Sequence, residues 1–186
     1  MSRREDPLKN FSEQVAVKTS CKILPSQIRD RQGRLIKIRA YTDSDYKGLK
    51  EMYDNFEPKG LEAGLPPPDD KTRHEWIDQM VTSFFNVLAF HKARVIGHAA
   101  LDLKDLHACP EYLIFIKKAF RHLEIGTRLS EIMKQLARDA GCKRVWLTVR
   151  TGNTIAIRVF KKVGFEFVGD IDIQREMELV IKKSRK

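Results

Sequence analysis

The hydrophobic residues of this chain change period several times, and each change marks the boundary of an element. From Leu35 to Ala40 apolar and polar residues alternate, the two-residue period of a strand with one covered face. The next apolar positions, Leu49, Met52 and Phe56, lie three and four apart and predict a helix. Ahead of them Thr42-Asp43-Ser44-Asp45 has the form of a capping box in which Asp replaces Glu. Trp76, Ile77, Met80, Val81 and Phe84 predict a second helix, for which Asp70 is the expected N-cap. Apolar runs at 86–90 and 95–101 read as strands joined through His91-Lys92-Ala93-Arg94, a hairpin connection of ordinary length.

The most informative change of period falls within residues 111–137. Positions 112–116 are almost uninterruptedly apolar, β-branched or aromatic, which suits a strand covered on both faces and hence a central one. After Arg121 the apolar positions Ile125, Leu129, Ile132, Met133, Leu136 and Ala140 mark an amphipathic helix that Gly141 ends. Residues 121–128 therefore form a turn whose backbone amides point outward at the start of a helix. Such termini combine unpaired N–H donors with roughly half a positive charge, so the turn is a candidate site for phosphate or pyrophosphate. Gly126 permits close backbone approach, and Arg121 and Arg128 add positive charge. Glu124 opposes them; as a residue of the first helical turn it is expected to pair with Arg121. Downstream, 144–149 predicts another strand, and 165–170 with 175–181 a closing hairpin.

The remaining stretches are irregular. Residues 57–69 hold two Gly and three consecutive Pro, so they form either a wall of a substrate site or a plain connector. Residues 1–34 read as a polar extension, in which 15–24 alternate well enough for one extra strand ended by Pro25, and 182–186 as a basic tail. One domain over 35–181 accounts for the rest. At 186 residues the chain is long enough to bury a core, and no apolar run approaches the roughly 20 residues of a membrane span, so no membrane partner is expected. The start lacks an apolar signal core, and three widely spaced cysteines argue for thiols in a reducing compartment, which makes a cytoplasmic protein the simplest expectation. The net charge of +10 favours an anionic partner, but no nucleic-acid-reading motif accompanies it. The histidines show no ligand spacing and no metal is expected.

Two motifs carry a resemblance. Arg121-His122-Leu123-Glu124-Ile125-Gly126 is similar to the acetyl-CoA-binding turn of the GNAT acetyltransferase superfamily, Gln or Arg, two residues, Gly, one residue, then Gly or Ala, with Glu124 in place of the first glycine. Further on, the run from Asn153 to Phe165, NTIAIRVFKKVGF, resembles that family's Asn-x-x-Ala-Ile, short helix, Gly-Phe motif. Together they imply a GNAT-like α/β (α+β mixed) domain with a central, mostly antiparallel mixed sheet, one splayed parallel strand pair and helices on both faces. The implied activity is transfer of an acetyl group from acetyl-CoA, as co-substrate, to a primary amine of a small molecule or a protein lysine, by a monomer or homodimer. The two departures, Glu124 and Phe160, leave a catalytically weak CoA-binding or interaction protein on the same fold as the alternative.

The resemblance also implies roles. Phe115, Ile116 and Lys117 would run beside the pantetheine arm, with a backbone N–H near Ile116 facing the thioester oxyanion. His122, Leu123, Glu124, Ile125, Gly126, Thr127 and Arg128 would surround the phosphates together with Arg121, and Asn153, Phe160 and Lys162 would complete the CoA site. Glu111, at the start of the strand, is the candidate base for the acceptor amine, with Asp102 and Asp105 as rivals. Asn153 is assigned to contact pantetheine or substrate, to cap the following helix, or to do both. Phe160 stands where many members carry a tyrosine acid.

Overall fold

The computed structural model describes residues 23–61, 64–102 and 109–182. Five strands form one antiparallel sheet in chain order: β1 (Ser26–Arg29), β2 (Leu35–Ala40), β3 (Phe84–His91), β4 (Arg94–Asp102) and β5 (Tyr112–Ile116). A second antiparallel sheet runs in the order β6 (Arg144–Arg150), β8 (Gln174–Val180), β7 (Glu166–Val168). The helices are α1 (Tyr46–Asp54), α2 (Asp70–Ser83), α3 (Ile125–Asp139) and α4 (Thr154–Val163).

The two sheets meet at β5 and β6, which run parallel and touch through a single bridge, Glu111 to Trp146, with the Trp146 N–H donating to the Pro110 carbonyl at 3.1 Å. β5 is thus the edge of the five-stranded ladder and the middle of the molecule, because the second sheet continues beyond the bridge. The strands separate past that point.

Side-chain alternation in the strands divides the interior into two layers. Leu88, Phe90, Val95 and Phe115 face α1 and α2, where Leu49, Met52, Tyr53, Phe56, Ile77 and Met80 complete a cluster. Ile36, Ile38, Val87, Ala89 and Tyr112 face the other way, onto Ile125, Leu129, Met133 and Leu136 of α3 and Phe160 and Val163 of α4. Gly97 lets α3 settle closely: a Cβ there would lie 2.7 Å from Ile116 Cδ1 and 3.4 Å from Leu129 Cδ1.

Several local expectations shift. The capping box at Thr42 forms as read, around a 3-10 turn that precedes α1. Asp69, not Asp70, caps α2: Asp70 is already helical, while Asp69 keeps an extended backbone (φ −83°, ψ 148°) from which its side chain accepts from the Thr72 N–H at 2.9 Å. His91 and Arg94 pair with each other, so the β3–β4 turn shrinks to Lys92 and Ala93, with Lys92 at φ 55°. β1 pairs with β2 upstream of Leu35. The extra strand expected at 15–24 lies mostly outside the described residues, as does nearly all of the basic tail.

Candidate active site

β5 offers different things on its two edges and two faces. Its ladder with β4 includes Asp102 N–H to Glu111 C=O and Lys117 N–H to Ile96 C=O, both 2.9 Å. By the alternation of an antiparallel ladder, Glu111, Leu113, Phe115 and Lys117 turn their backbone groups to β4, while Ile114 and Ile116 turn theirs toward the gap that opens between β5 and β6. The Ile116 carbonyl is taken by Arg121 Nε at 2.9 Å, which leaves the amides on that edge as the donors facing the gap.

At the far end of β5 the chain passes through a 3-10 turn (Lys118–Phe120) into residues 121–124 and then α3. Two non-glycine residues here have left-handed backbones, His122 (φ 62°) and Glu124 (φ 66°). Glu124 is the N-cap of α3, and no side chain caps the helix; the first intrahelical bond runs from Arg128 N–H to Glu124 C=O at 3.0 Å. The amides of Ile125, Gly126 and Thr127 are thus the terminal donors. The side chains of Leu123, Ile125 and Thr127 are buried, so these residues present only backbone outward. A Cβ on Gly126 would meet only Ile116 Cγ1, at 3.9 Å, an ordinary contact. The fold itself gives no reason for glycine at this position.

The pairing expected between Glu124 and Arg121 does not form. Left-handed geometry swings the Glu124 carboxylate toward Arg31 of the β1–β2 turn (2.9 Å), with Lys162 of α4 at 4.0 Å. These cations, the Arg31 hydrogen bond foremost, hold its carboxyl below the usual range. Arg121 instead turns inward, half-buried, bonded to the carbonyls of Ile116 and Glu57 and lying over the Phe56 ring at 5.2 Å. It ties the start of the 57–69 loop to the end of β5. Arg128 projects outward and pairs with Glu131 at 2.9 Å.

Asn153 caps α4, its side chain accepting from the Ala156 N–H at 3.2 Å, in an exposed position. Phe160 is buried in a ring cluster with Tyr112 and Phe165, centroids 6.4 and 5.8 Å away. The Tyr112 hydroxyl donates to Ser130 Oγ (2.9 Å), which donates to the Gly126 carbonyl (2.9 Å), joining β5 to the first turn of α3. Burial pushes the Tyr112 phenol far up.

On the opposite face of β5 lies a cavity of about 280 Å³, lined by Gly64, Leu65, Trp76, Gln79, Met80, Phe84, Glu111, Leu113 and Phe115. Glu111 and Phe115 therefore share a cavity, whereas the turn and Asn153 lie toward α3 and α4. Burial raises the Glu111 carboxyl above its ordinary value, and the nearby negative Asp102 raises it further. Asp105 lies outside the described residues.

Two supporting networks escape sequence reading. Arg73, 1% exposed, bonds Asp54 (2.8 Å), Asp70 and the carbonyls of Pro67 and Pro68 (3.1 and 3.0 Å), and so clamps the 57–69 loop to α1. An arginine one turn into a helix that follows three prolines was the only available signal. Behind the cavity wall, Tyr53 O–H donates to His98 Nδ1 (2.6 Å) and His98 Nε2–H to Asn86 Oδ1 (2.8 Å). The Asn86 amide nitrogen then reaches the carbonyls of Met80 and Phe84 (3.0 and 2.6 Å). Burial pushes the His98 pKa down to about 3, so the ring is neutral with one donor, and because Asn86 Nδ2 is spent on two carbonyls its Oδ1 must accept that donor, Nε2–H, which leaves Nδ1 to accept from Tyr53.

Among the described residues no group of three or more His, Cys, Asp or Glu is placed to hold a metal ion, and no helix is long and apolar enough to cross a membrane. A family model, the acetyltransferase (GNAT) family, matches residues 49–165, and the chain belongs to that family. Over 67 residues the chain is 33% identical to a probable spermine N(1)-acetyltransferase of Bacillus subtilis subsp. natto (strain BEST195), covering 36% of this chain and 44% of that protein. The chain thus spans under half the length of that relative. The GNAT domain of S. lividans PAT superposes with TM-score 0.73 at 16% identity, covering 84% of this chain and 96% of that one. A putative acetyltransferase from Salmonella typhimurium, solved with its cofactor acetyl-CoA, superposes with TM-score 0.63 at 16% identity, covering 81% and 96%. Both likenesses establish the fold.

Proposed function

We propose that the chain is an acetyl-CoA-dependent N-acetyltransferase acting on a primary amine in the cytoplasm. The observation that carries this reading is the opening of the β5–β6 pair directly beside an uncapped helix N-terminus. A pyrophosphate is suited to the amides of Ile125, Gly126 and Thr127 and to the cations Arg31, Arg128 and Lys162 around them. The pantetheine arm, with its amides, would follow the exposed edge of β5 and bring the thioester to the bridge region near Glu111. Asn153 would meet the arm from the start of α4.

Acceptor and donor would then arrive from opposite faces of β5. Glu111, whose raised pKa makes it a better base than an exposed carboxylate, takes a proton from the ammonium directly or through a water. The amine attacks the thioester carbonyl, a β5 amide stabilises the oxyanion, and the C–S bond breaks to release the thiolate, which takes up through solvent the second proton that the nitrogen sheds as the amide forms. Phe160 supplies no proton, and none is required from the protein, because a thiolate of ordinary pKa near 8.5 leaves tolerably well.

Calorimetric titration with acetyl-CoA followed by a thiol-release assay with a primary amine tests this reading. Saturable binding with amine-dependent release is expected; binding without release for any amine would leave only a CoA-binding protein, and absence of binding would refute the site.

A further inference from the structure

We infer that the acceptor is a monoamine, one ammonium on an apolar and preferably planar body, and not a polyamine. This rests on the proposed function, since it takes the cavity beside Glu111 as the acceptor site. Among the described residues, Glu111 is the only carboxylate lining that cavity, and Gln79 and the Trp76 indole N–H are its other polar side-chain groups. Asp102, whose charge raises the Glu111 pKa, is not among the lining residues, so the wall itself offers one carboxylate for one ammonium. A polyamine would bring further ammonium groups against Trp76, Met80, Phe84 and Phe115, where no second carboxylate among the described lining residues compensates their desolvation.

The apolar wall is built to stay in place. Trp76 meets Phe115 edge to face at 5.5 Å and Tyr53 at 5.1 Å, and Tyr53 is anchored in turn by His98. Asn86 holds the carbonyls of Met80 and Phe84, two wall residues at the end of α2. A rigid aromatic surface favours a flat apolar group beside the charge. The overall charge of +10 further opposes the approach of a polycation.

The test compares kcat/KM for 2-phenylethylamine, n-hexylamine and spermidine at saturating acetyl-CoA, in the wild type and in Gln79→Glu. That isosteric change adds a second carboxylate at an exposed position, so folding is not at stake. The wild type is expected to prefer 2-phenylethylamine over spermidine by at least about tenfold, and Gln79→Glu to raise spermidine use by roughly threefold or more. A wild type that uses spermidine as well as or better than 2-phenylethylamine overturns the inference. If no amine is acetylated, the functional reading fails instead, and calorimetric titration of 2-phenylethylamine against spermidine decides the cavity's selectivity: tighter spermidine binding overturns the inference, tighter 2-phenylethylamine binding upholds it.

Discussion

Replacing Gly126 by alanine separates what the fold needs from what a ligand needs. Within the protein the new Cβ finds open space apart from Ile116 Cγ1 at 3.9 Å, and the position lies in the first turn of α3. Exchanging a helical glycine for alanine removes unfolded-state entropy and stabilises by about 0.5–1 kcal/mol, which for a chain of this size raises Tm by roughly 1–4 °C. The same methyl group would stand between the terminal amides and an approaching pyrophosphate. Losing one hydrogen bond to a charged group weakens binding by about 1.5–3 kcal/mol, or roughly 10- to 150-fold. Thermal unfolding and calorimetric titration with acetyl-CoA should therefore move in opposite directions. Unchanged affinity would refute the assignment of this turn to pyrophosphate, and a lower Tm would show that the glycine serves the fold.

Arg31 and Glu124 form a charge pair at the edge of the same turn. Arg31→Ala should expose the carboxylate and weaken acetyl-CoA binding about threefold or more at low salt, the effect shrinking as salt rises. Glu124→Gln alone should change affinity by no more than about threefold, and the double variant should recover most of the loss; an additive double variant would show that the pair is not coupled near the phosphates. His98 has its folded pKa depressed to about 3 against about 6.5 unfolded, so the unfolded chain binds the extra proton between those values. Stability is then fully present above pH 6.5 and falls with acid, by about 2 kcal/mol at pH 5, in urea unfolding. A His98→Gln variant should show a shallower slope over the same range, and an equal slope would assign the loss to other groups.

How much was legible follows from how local each feature is. Strands such as Leu35–Ala40 and helices such as Ile125–Asp139 announce themselves by period, because the face they bury is written every two or every three to four residues. The turn at 121–128 was legible for the same reason: it sits where one period gives way to another. β1 was not, since Ser26–Arg29 holds a single apolar residue and joins the sheet as an edge strand through its backbone. Pairings across long separations leave no local mark. Arg31 meets Glu124 across 93 residues and Tyr53 meets His98 across 45, and in each case the neighbour is chosen by the folded chain. The αL backbone of Glu124 decided its partner, which spacing along a presumed helix had assigned to Arg121.

In the proposed mechanism Glu111 accepts the acceptor's proton on one side of β5 while acetyl-CoA lies along the other. Turnover of a primary amine by Glu111→Gln, measured as thiol release across pH together with acetyl-CoA affinity, tests it most directly. This mechanism predicts a loss of about 10²-fold or more in kcat/KM with acetyl-CoA affinity unchanged. It also predicts that wild-type kcat/KM rises with pH through a carboxyl pKa above the ordinary value, a limb the variant lacks. Turnover within about twofold of wild type, with the acid limb intact, would contradict it.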